Sequence, residues 1–143
     1  MKKIKLTQNK VALIDDEDYL MVSKRKWSYH HFGYAVSGYP QISMHRFILR
    51  VKRGEDVDHK NGDKLDNRKL NLRIATGSQN THNSLCNDGV HWRGDRRAWI
   101  VRIKIEGISK YVGYFKTKSE AIKARKKASL MHYKEFSPYA RTT

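Results

Sequence analysis

Val57-Asp58-His59-Lys60-Asn61-Gly62-Asp63-Lys64-Leu65-Asp66-Asn67-Arg68-Lys69-Leu70-Asn71-Leu72-Arg73-Ile74-Ala75-Thr76 decides the fold, and it runs on into Gly77-Ser78-Gln79-Asn80-Thr81-His82-Asn83. A short apolar run ends on an Asp-His pair, Asn-Gly and Asp-Asn turn signals follow, and residues 72–75 form a second strand-like run. This predicts a looped hairpin. Thr76 and Gln79 then fit a capping box, in which a hydroxyl and an amide three residues on satisfy free backbone N–H groups at a helix start. Strand, loop, strand and helix are thus packed into a short stretch with polar side chains at its junctions.

Those polar side chains have the makings of a hydrolytic site. A hard, oxygen-liking cation needs a carboxylate or carbonyl oxygen, and a neutral imidazole beside it can take a proton from water. Asp58 and His59 supply both. Adjacent strand residues point to opposite faces, so the two should do different work: Asp58 as metal ligand, His59 toward substrate as general base. Asn80, in the first turn of the following helix, offers a second oxygen ligand, and that helix start presents backbone N–H groups to a phosphate. Asn71 begins the second strand, across the hairpin from the imidazole it can orient. Asn61, Gly62, Asp66 and Asn67 read as structural turn residues.

This stretch resembles the HNH nuclease motif, the ββα-metal fold, and specifically the subgroup found in phage homing endonucleases. Asp66-Asn67-Arg68 and Asn71-Leu72-Arg73 match the same pattern. The resemblance implies that His59 activates water, Asn71 positions His59, and Asp58 with Asn80 holds one divalent metal, magnesium or manganese, against the scissile phosphate. Asn83 lies three residues beyond Asn80 on the same helix face and can exchange roles with it.

The chain has 143 residues, room for one ordinary domain or two small ones. Thirty Lys and Arg stand against fourteen Asp and Glu, a net charge of +16 that favours a polyanionic partner. The single cysteine, Cys86, excludes an internal disulfide framework and a Cys-rich zinc site within one chain, so no structural zinc is expected. Met1 leads into Lys2-Lys3-Ile4-Lys5-Leu6, without the apolar core of a signal peptide, and no stretch approaches a membrane span. The expectation is a soluble, cytoplasmic protein, in a bacterial host cell if phage-encoded, with no obligate protein partner and a monomeric or weakly dimeric state.

Before the motif, residues 4–7 and 11–14 read as short strands around Gln8-Asn9-Lys10. Asp15 or Asp16 is expected to cap a helix of about ten residues, acidic in its first turn and basic at Lys24, Arg25 and Lys26, an order that complements the helix dipole. Residues 27–31, 34–36 and 41–43 suggest a small antiparallel meander. Met44-His45-Arg46-Phe47-Ile48-Leu49-Arg50 has helical apolar spacing and should pack behind the hairpin. His45 and Arg46 are additional active-site candidates, Arg46 as a phosphate contact. Equally, His45 can be a buried structural histidine and Arg46 a solvated side chain.

The chain changes character beyond Asn87-Asp88-Gly89. Residues 90–92, 98–105 and 111–115 read as three strands, and in the middle one Trp99, Val101, Ile103 and Ile105 alternate with Ile100, Arg102 and Lys104. One face is apolar and the other largely basic. Thr117 and Glu120 form a second capping box, opening a helix over residues 119–133 with Ala121, Ala124, Ala128 and Met131 as its apolar stripe. From residue 89 on, fourteen basic residues face four acidic ones, which is +10 of the total. The basic run Lys123, Arg125, Lys126, Lys127 reads as a solvated outer face.

Gly89-Val90-His91-Trp92-Arg93, Trp99, Gly113-Tyr114-Phe115 and Glu120-Ala121 resemble the Apetala-type DNA-binding domain of plant ethylene-response factors, which also occurs fused to phage HNH endonucleases. The resemblance implies that the sheet enters the major groove and contacts bases and phosphates. The matching positions are His91, Arg93, Arg97, Trp99, Arg102 and Lys104. The chain departs from the plant pattern at residues 94–97, where the plant domain has a further Trp. Trp92 and Trp99 also fit a core role.

The sequence therefore predicts an α+β chain: a nuclease domain at residues 1–88, with its ββα-metal core at about 55–86, then a DNA-binding domain at 89–143 made of a three-stranded antiparallel sheet on one helix. The expected function is a metal-dependent homing-type endonuclease acting on duplex DNA. The alternatives are a sequence-specific DNA-binding regulator on an inactive HNH scaffold, and an RNA-directed protein.

Overall fold

The computed structural model describes residues 1–52, 54–82 and 89–142. The chain divides into two compact units, Met1–Thr76 and Gly77–Thr143. The architecture is α+β, several small antiparallel sheets with few helices, as the strand and helix signals predict. Among the described residues, no helix is long and apolar enough to cross a membrane.

In the first unit, strands β1 (Lys2–Lys5) and β2 (Val11–Ile14) pair as a hairpin. Gln8 and Asn9 take positive φ angles of 58° and 54° at its turn, the left-handed pair that matches strand twist in tight hairpins. A 3₁₀ turn over Asp16–Asp18 leads into α1, Tyr19–Val22. The expected ten-residue helix is thus shorter, and Lys24, Arg25 and Lys26 lie outside it. The reason is a local side-chain contact: the indole of buried Trp27 donates to the Val22 carbonyl at 2.9 Å, which also accepts the Arg25 N–H at 3.2 Å, so the last turn is closed there. The acidic turn is bound to the motif loop. Asp15 accepts from the Lys69 backbone N–H at 2.8 Å, and Lys69 Nζ lies 2.5 and 3.0 Å from Glu17 and Asp18.

The meander follows as β3 (Ser28–Tyr29), β4 (Ala35–Ser37) and β5 (Ile42–Ser43), antiparallel and in that order. Helix α2 (Met44–Leu49) buries Met44 and Ile48 and stops where Arg50 turns left-handed. The motif hairpin is β6 (Asp56–His59) and β7 (Leu72–Ala75), in a register that sets Asp58 opposite Arg73 and His59 opposite Leu72. Ile14, Val22, Trp27, Met44, Val57 and Leu72 share one buried cluster beneath it. Strand β2 also clasps the loop between the motif strands: Leu13 N–H donates to the Leu65 carbonyl and Asn67 N–H to the Leu13 carbonyl, both at 2.8 Å.

The second unit begins with α3 (Gly77–His82). Strands β8 (Val90–Arg93), β9 (Ala98–Ile105) and β10 (Ile108–Phe115) form an antiparallel sheet with β9 in the centre. Helix α4 (Lys118–Tyr133) starts on the expected capping box: Glu120 N–H donates to Thr117 Oγ1 at 3.2 Å, and Thr117 N–H to the Glu120 carboxylate at 3.1 Å. Its far end is pinned by Tyr133, whose hydroxyl donates to the Lys104 carbonyl and accepts the Lys104 N–H. The buried stripe of α4 differs from the expected one. Ala121 and Ala128 are buried, but Met131 is 62% exposed and Arg125, from the basic run, is 8% exposed. Arg125 instead packs its guanidinium 5.6 Å from the Tyr133 ring.

Candidate active site and nucleic-acid interface

Antiparallel pairing makes the first site. Asp58 and His59 end β6 and are nearly fully buried, 3% and 4% exposed. The register puts Arg73 directly across from Asp58, and the guanidinium donates to Asp58 Oδ2 from Nε at 2.8 Å and from Nη2 at 2.6 Å. A buried carboxylate is tolerable only when paired in this way.

His59 Nε2 lies 3.4 Å from Asn67 Oδ1. The Asn67 amide is oriented by its other end, since Nδ2 donates to the Leu65 carbonyl at 3.0 Å. Asn67 therefore presents an acceptor, His59 donates from Nε2, and Nδ1 becomes the basic nitrogen of the neutral ring. Burial pushes the imidazole pKa below its ordinary value, against the opposing pull of Asn67 and Asp58, so the ring is neutral at pH 7.

Asn71 acts one step further out. Its Oδ1 accepts from Asn61 N–H at 3.0 Å and its Nδ2 donates to the Asp66 carbonyl at 2.8 Å, so it ties both ends of the loop together. Its hold on Asp66 fixes the adjacent Asn67 and thereby His59. Asp66 is 2% exposed and receives both Nε and Nη2 of Arg68 at 2.7 Å, and this guanidinium holds the carboxyl below its usual range. Asp66 and Asn67, which local turn chemistry explains as loop residues, are thus interior parts of the site.

Of the two additional candidates on α2, only His45 reaches the cluster. Its ring stands edge-on to His59 at 5.1 Å, and Tyr34 lies 5.1 Å from His45 and 6.1 Å from His59. His45 is 7% exposed and its Nδ1 is buried with no hydrogen-bond partner among the described residues. Burial, with His59 and Arg46 nearby, pushes its pKa down to about 3. Arg46 turns away, donating to the carbonyls of Glu55 and Lys52, which staples the loop after α2. Asn80 lies half-buried on α3 in the second unit. Asn83, like Cys86, falls outside the described residues.

Of the residues implied for a divalent ion, Asp58 in the first unit offers a carboxylate oxygen, a hard donor that suits one by its chemistry. Among the described residues there is no cluster of three or more His, Cys, Asp and Glu side chains that could hold a metal. A single carboxylate fits an ion that takes its other ligands from phosphate and water.

The sheet of the second unit has two unlike faces. Val90, Val101 and Ala121 are buried between sheet and α4, with Trp99 and Phe115 packed on them. Trp99 thus lies on the helix side, 5.5 Å from Trp92 and 5.4 Å below Lys118 Nζ, not on the open face. The open face carries His91, Arg102 and Lys104, all exposed. Arg93 is held by Asp95 through two hydrogen bonds of 2.8 Å, and Arg97 takes a left-handed conformation at the turn into β9. Two tyrosines join this face. The β10 register slips between Tyr111 and Gly113, so Tyr111, opposite Arg102, and Tyr114, opposite Ile100, point the same way despite a spacing of three. Their rings lie 5.0 Å apart, and Arg96 stacks over Tyr114 at 4.9 Å. Gly113, a break in the strand pattern, was the only sequence signal of the bulge.

Residues 45–82 match the family model described as HNH endonuclease. The chain is also 35% identical, over 79 residues, to an uncharacterized HNH endonuclease of Acanthamoeba polyphaga mimivirus, a match covering 50% of this chain and 42% of that protein. The chain thus spans less than half the length of this relative. No solved structure matches it. The segment bearing His45, the Asp58–His59 pair, Asn71 and Asn80 is therefore similar to an HNH endonuclease domain.

Proposed function

We propose that the chain is a metal-dependent endonuclease that hydrolyses a phosphodiester in duplex DNA. The observation that carries this reading is the setting of His59, buried at the end of β6 with its Nε2 edge on the Asn67 carboxamide and its pKa held below the ordinary value by burial, so that Nδ1 is the basic nitrogen of the ring. In this role His59 Nδ1 takes the proton of the attacking water as the new P–O bond forms in line with the departing oxygen. Asn71 keeps the loop closed so that the ring does not turn. Asp58 would hold the divalent ion, magnesium or manganese, which when bound neutralises charge on the phosphate and the leaving oxygen. The division of labour is a nuclease domain at residues 1–88 and a DNA-binding domain at 89–143 of the Apetala type. Its open sheet face offers His91, Arg102, Lys104, Arg96, Tyr111 and Tyr114 to the duplex. The homing-type, phage-related assignment belongs to this same reading.

The ion pair of Asp58 with Arg73 favours a second reading, since it is also how an inactive scaffold would neutralise a buried carboxylate. On that reading the protein is a DNA-binding regulator. Supercoiled plasmid separates the two. The nuclease converts it to open circle only with magnesium or manganese, and His59→Gln, which keeps the side-chain bulk, does not. Tight binding to a target without any nicking would favour the regulator.

A further inference from the structure

The turn between β3 and β4 is built around an exposed aromatic tip. Phe32 is 64% exposed, yet it is not loosely held. Its ring lies 4.0 Å from His31 and 5.3 Å from His30, and the two imidazoles lie 4.1 Å apart, so the three tilted rings form one cluster. The backbone is fixed under them: Gly33 N–H donates to the His30 carbonyl at 2.7 Å, His30 N–H to the Tyr34 carbonyl at 2.9 Å, and Phe32 N–H to His30 Nδ1 at 3.3 Å. Gly33 sits at φ +90°, and a side chain there would meet Lys64 Cδ at 3.3 Å.

Lys64 ties this turn to the catalytic cluster. Its ammonium donates to the Phe32 carbonyl at 2.9 Å while lying 4.7 Å over the Tyr34 ring, and Tyr34 in turn packs on His45 and His59. An apolar tip, flanked by two imidazoles and a lysine, is therefore linked to the proposed base through Lys64 and Tyr34. None of these groups is used by the hydrolytic step.

We propose that residues 30–33 are a wedge that stacks Phe32 against a base of duplex DNA at the step being cut, with Lys64 and the two imidazoles toward the flanking phosphates. This role rests on the nuclease reading of His59. Apolar side chains that enter between base steps unstack and kink the duplex, and a preorganised ring does so without losing side-chain entropy on binding. The occupant is fixed by charge complementarity: Lys64 and the histidines suit the sugar–phosphate backbone and Phe32 the face of a base. Kinking at this point would bring one phosphate to His59, so the wedge acts on the rate of cutting more than on affinity.

The test compares wild type, Phe32→Ala and Phe32→Trp in metal-dependent plasmid nicking over a range of plasmid concentrations. The exposed site predicts unchanged thermal midpoints for both variants. Phe32→Ala should lower kcat by about 10- to 100-fold, the range of one lost base stack, while KM changes little, and Phe32→Trp should restore it. In oligonucleotides carrying 2-aminopurine at the mapped nick, binding of wild type and Phe32→Trp should raise the fluorescence and binding of Phe32→Ala should not. If wild type nicks and Phe32→Ala nicks with the same kcat, the wedge is refuted while the nuclease reading stands. If wild type nicks no DNA, the nuclease reading falls and takes the wedge with it.

Discussion

Replacing Asp58 tests stability and chemistry at once, and the structure says how large the first effect is. The carboxylate is 3% exposed and receives two guanidinium hydrogen bonds of 2.8 and 2.6 Å from Arg73, whose side chain is 13% exposed. Removing one partner of a buried ion pair costs about 3–5 kcal/mol, because the other charge keeps its desolvation and loses its compensation. The first unit is Met1–Thr76, and a unit of that size has a total stability of only about 4–11 kcal/mol. Asp58→Ala should therefore cost about 3 kcal/mol and lower the midpoint of thermal unfolding by about 12–24 °C. Loss of nicking in this variant at 37 °C would report unfolding as much as loss of a metal ligand. The double substitution Asp58→Leu with Arg73→Met separates the two, because an apolar pair of similar bulk removes both charges and should recover most of the stability without recovering activity. Urea unfolding at pH 7.5 gives the energies, and nicking is compared at a temperature below every midpoint. If Asp58→Ala is within about 0.5 kcal/mol of wild type, the pair contributes no more than an ordinary surface contact and the reasoning from its burial is wrong.

Two further outcomes follow from the geometry. Gly89 sits at φ +61°, and a Cβ there would lie 2.2 Å from the Arg102 carbonyl oxygen, so Gly89→Ala should destabilise the second unit by about 2–4 kcal/mol in thermal unfolding; an unchanged midpoint would refute this. His45 keeps a folded pKa of about 3 against an ordinary 6.5, and the buried His59 is shifted the same way. Below pH 6.5 the unfolded chain therefore binds protons that the folded one refuses. Stability is full above that pH and declines toward pH 3, by up to about 5 kcal/mol for His45 alone. Urea titrations at pH 7.5, 6 and 5 should give steadily falling midpoints, and a rise on acidification would contradict the burial of both rings.

What the sequence disclosed is the part governed by local chemistry. Asp58, His59 and the 72–75 run are placed on a hairpin by their own turn residues, and Thr117 with Glu120 announces α4 by satisfying its first N–H groups. The missed features depend on side-chain contacts that no periodicity encodes. Helix α1 ends early where Trp27, five residues on, reaches back to Val22. Asn67 looked like a turn residue because a turn explains its chemistry; its partnership with His59 needs the loop drawn inward by Leu13, more than fifty positions earlier. Tyr111 and Tyr114 share a face only through a bulge, and a strict two-residue period puts them on opposite ones.

The same distant contacts bear on how much of the chain the proposed catalytic unit requires. The HNH-like segment covers residues 45–82, but the loop that aims His59 is held from outside it. Backbone hydrogen bonds from Leu13 fix Leu65 and Asn67, and Asp15, Glu17 and Asp18 hold Lys69, just before Asn71. Without these the loop would rely on its internal hydrogen bonds, among them those joining Asn61, Asp66 and Asn71, and its closure would have to offset its own entropy. The meander also supplies Tyr34 against both buried histidines. The N-terminal hairpin and meander are therefore working parts of the proposed site. The motif carries the groups proposed to react, and the residues before it supply the contacts that hold the His59 loop in place.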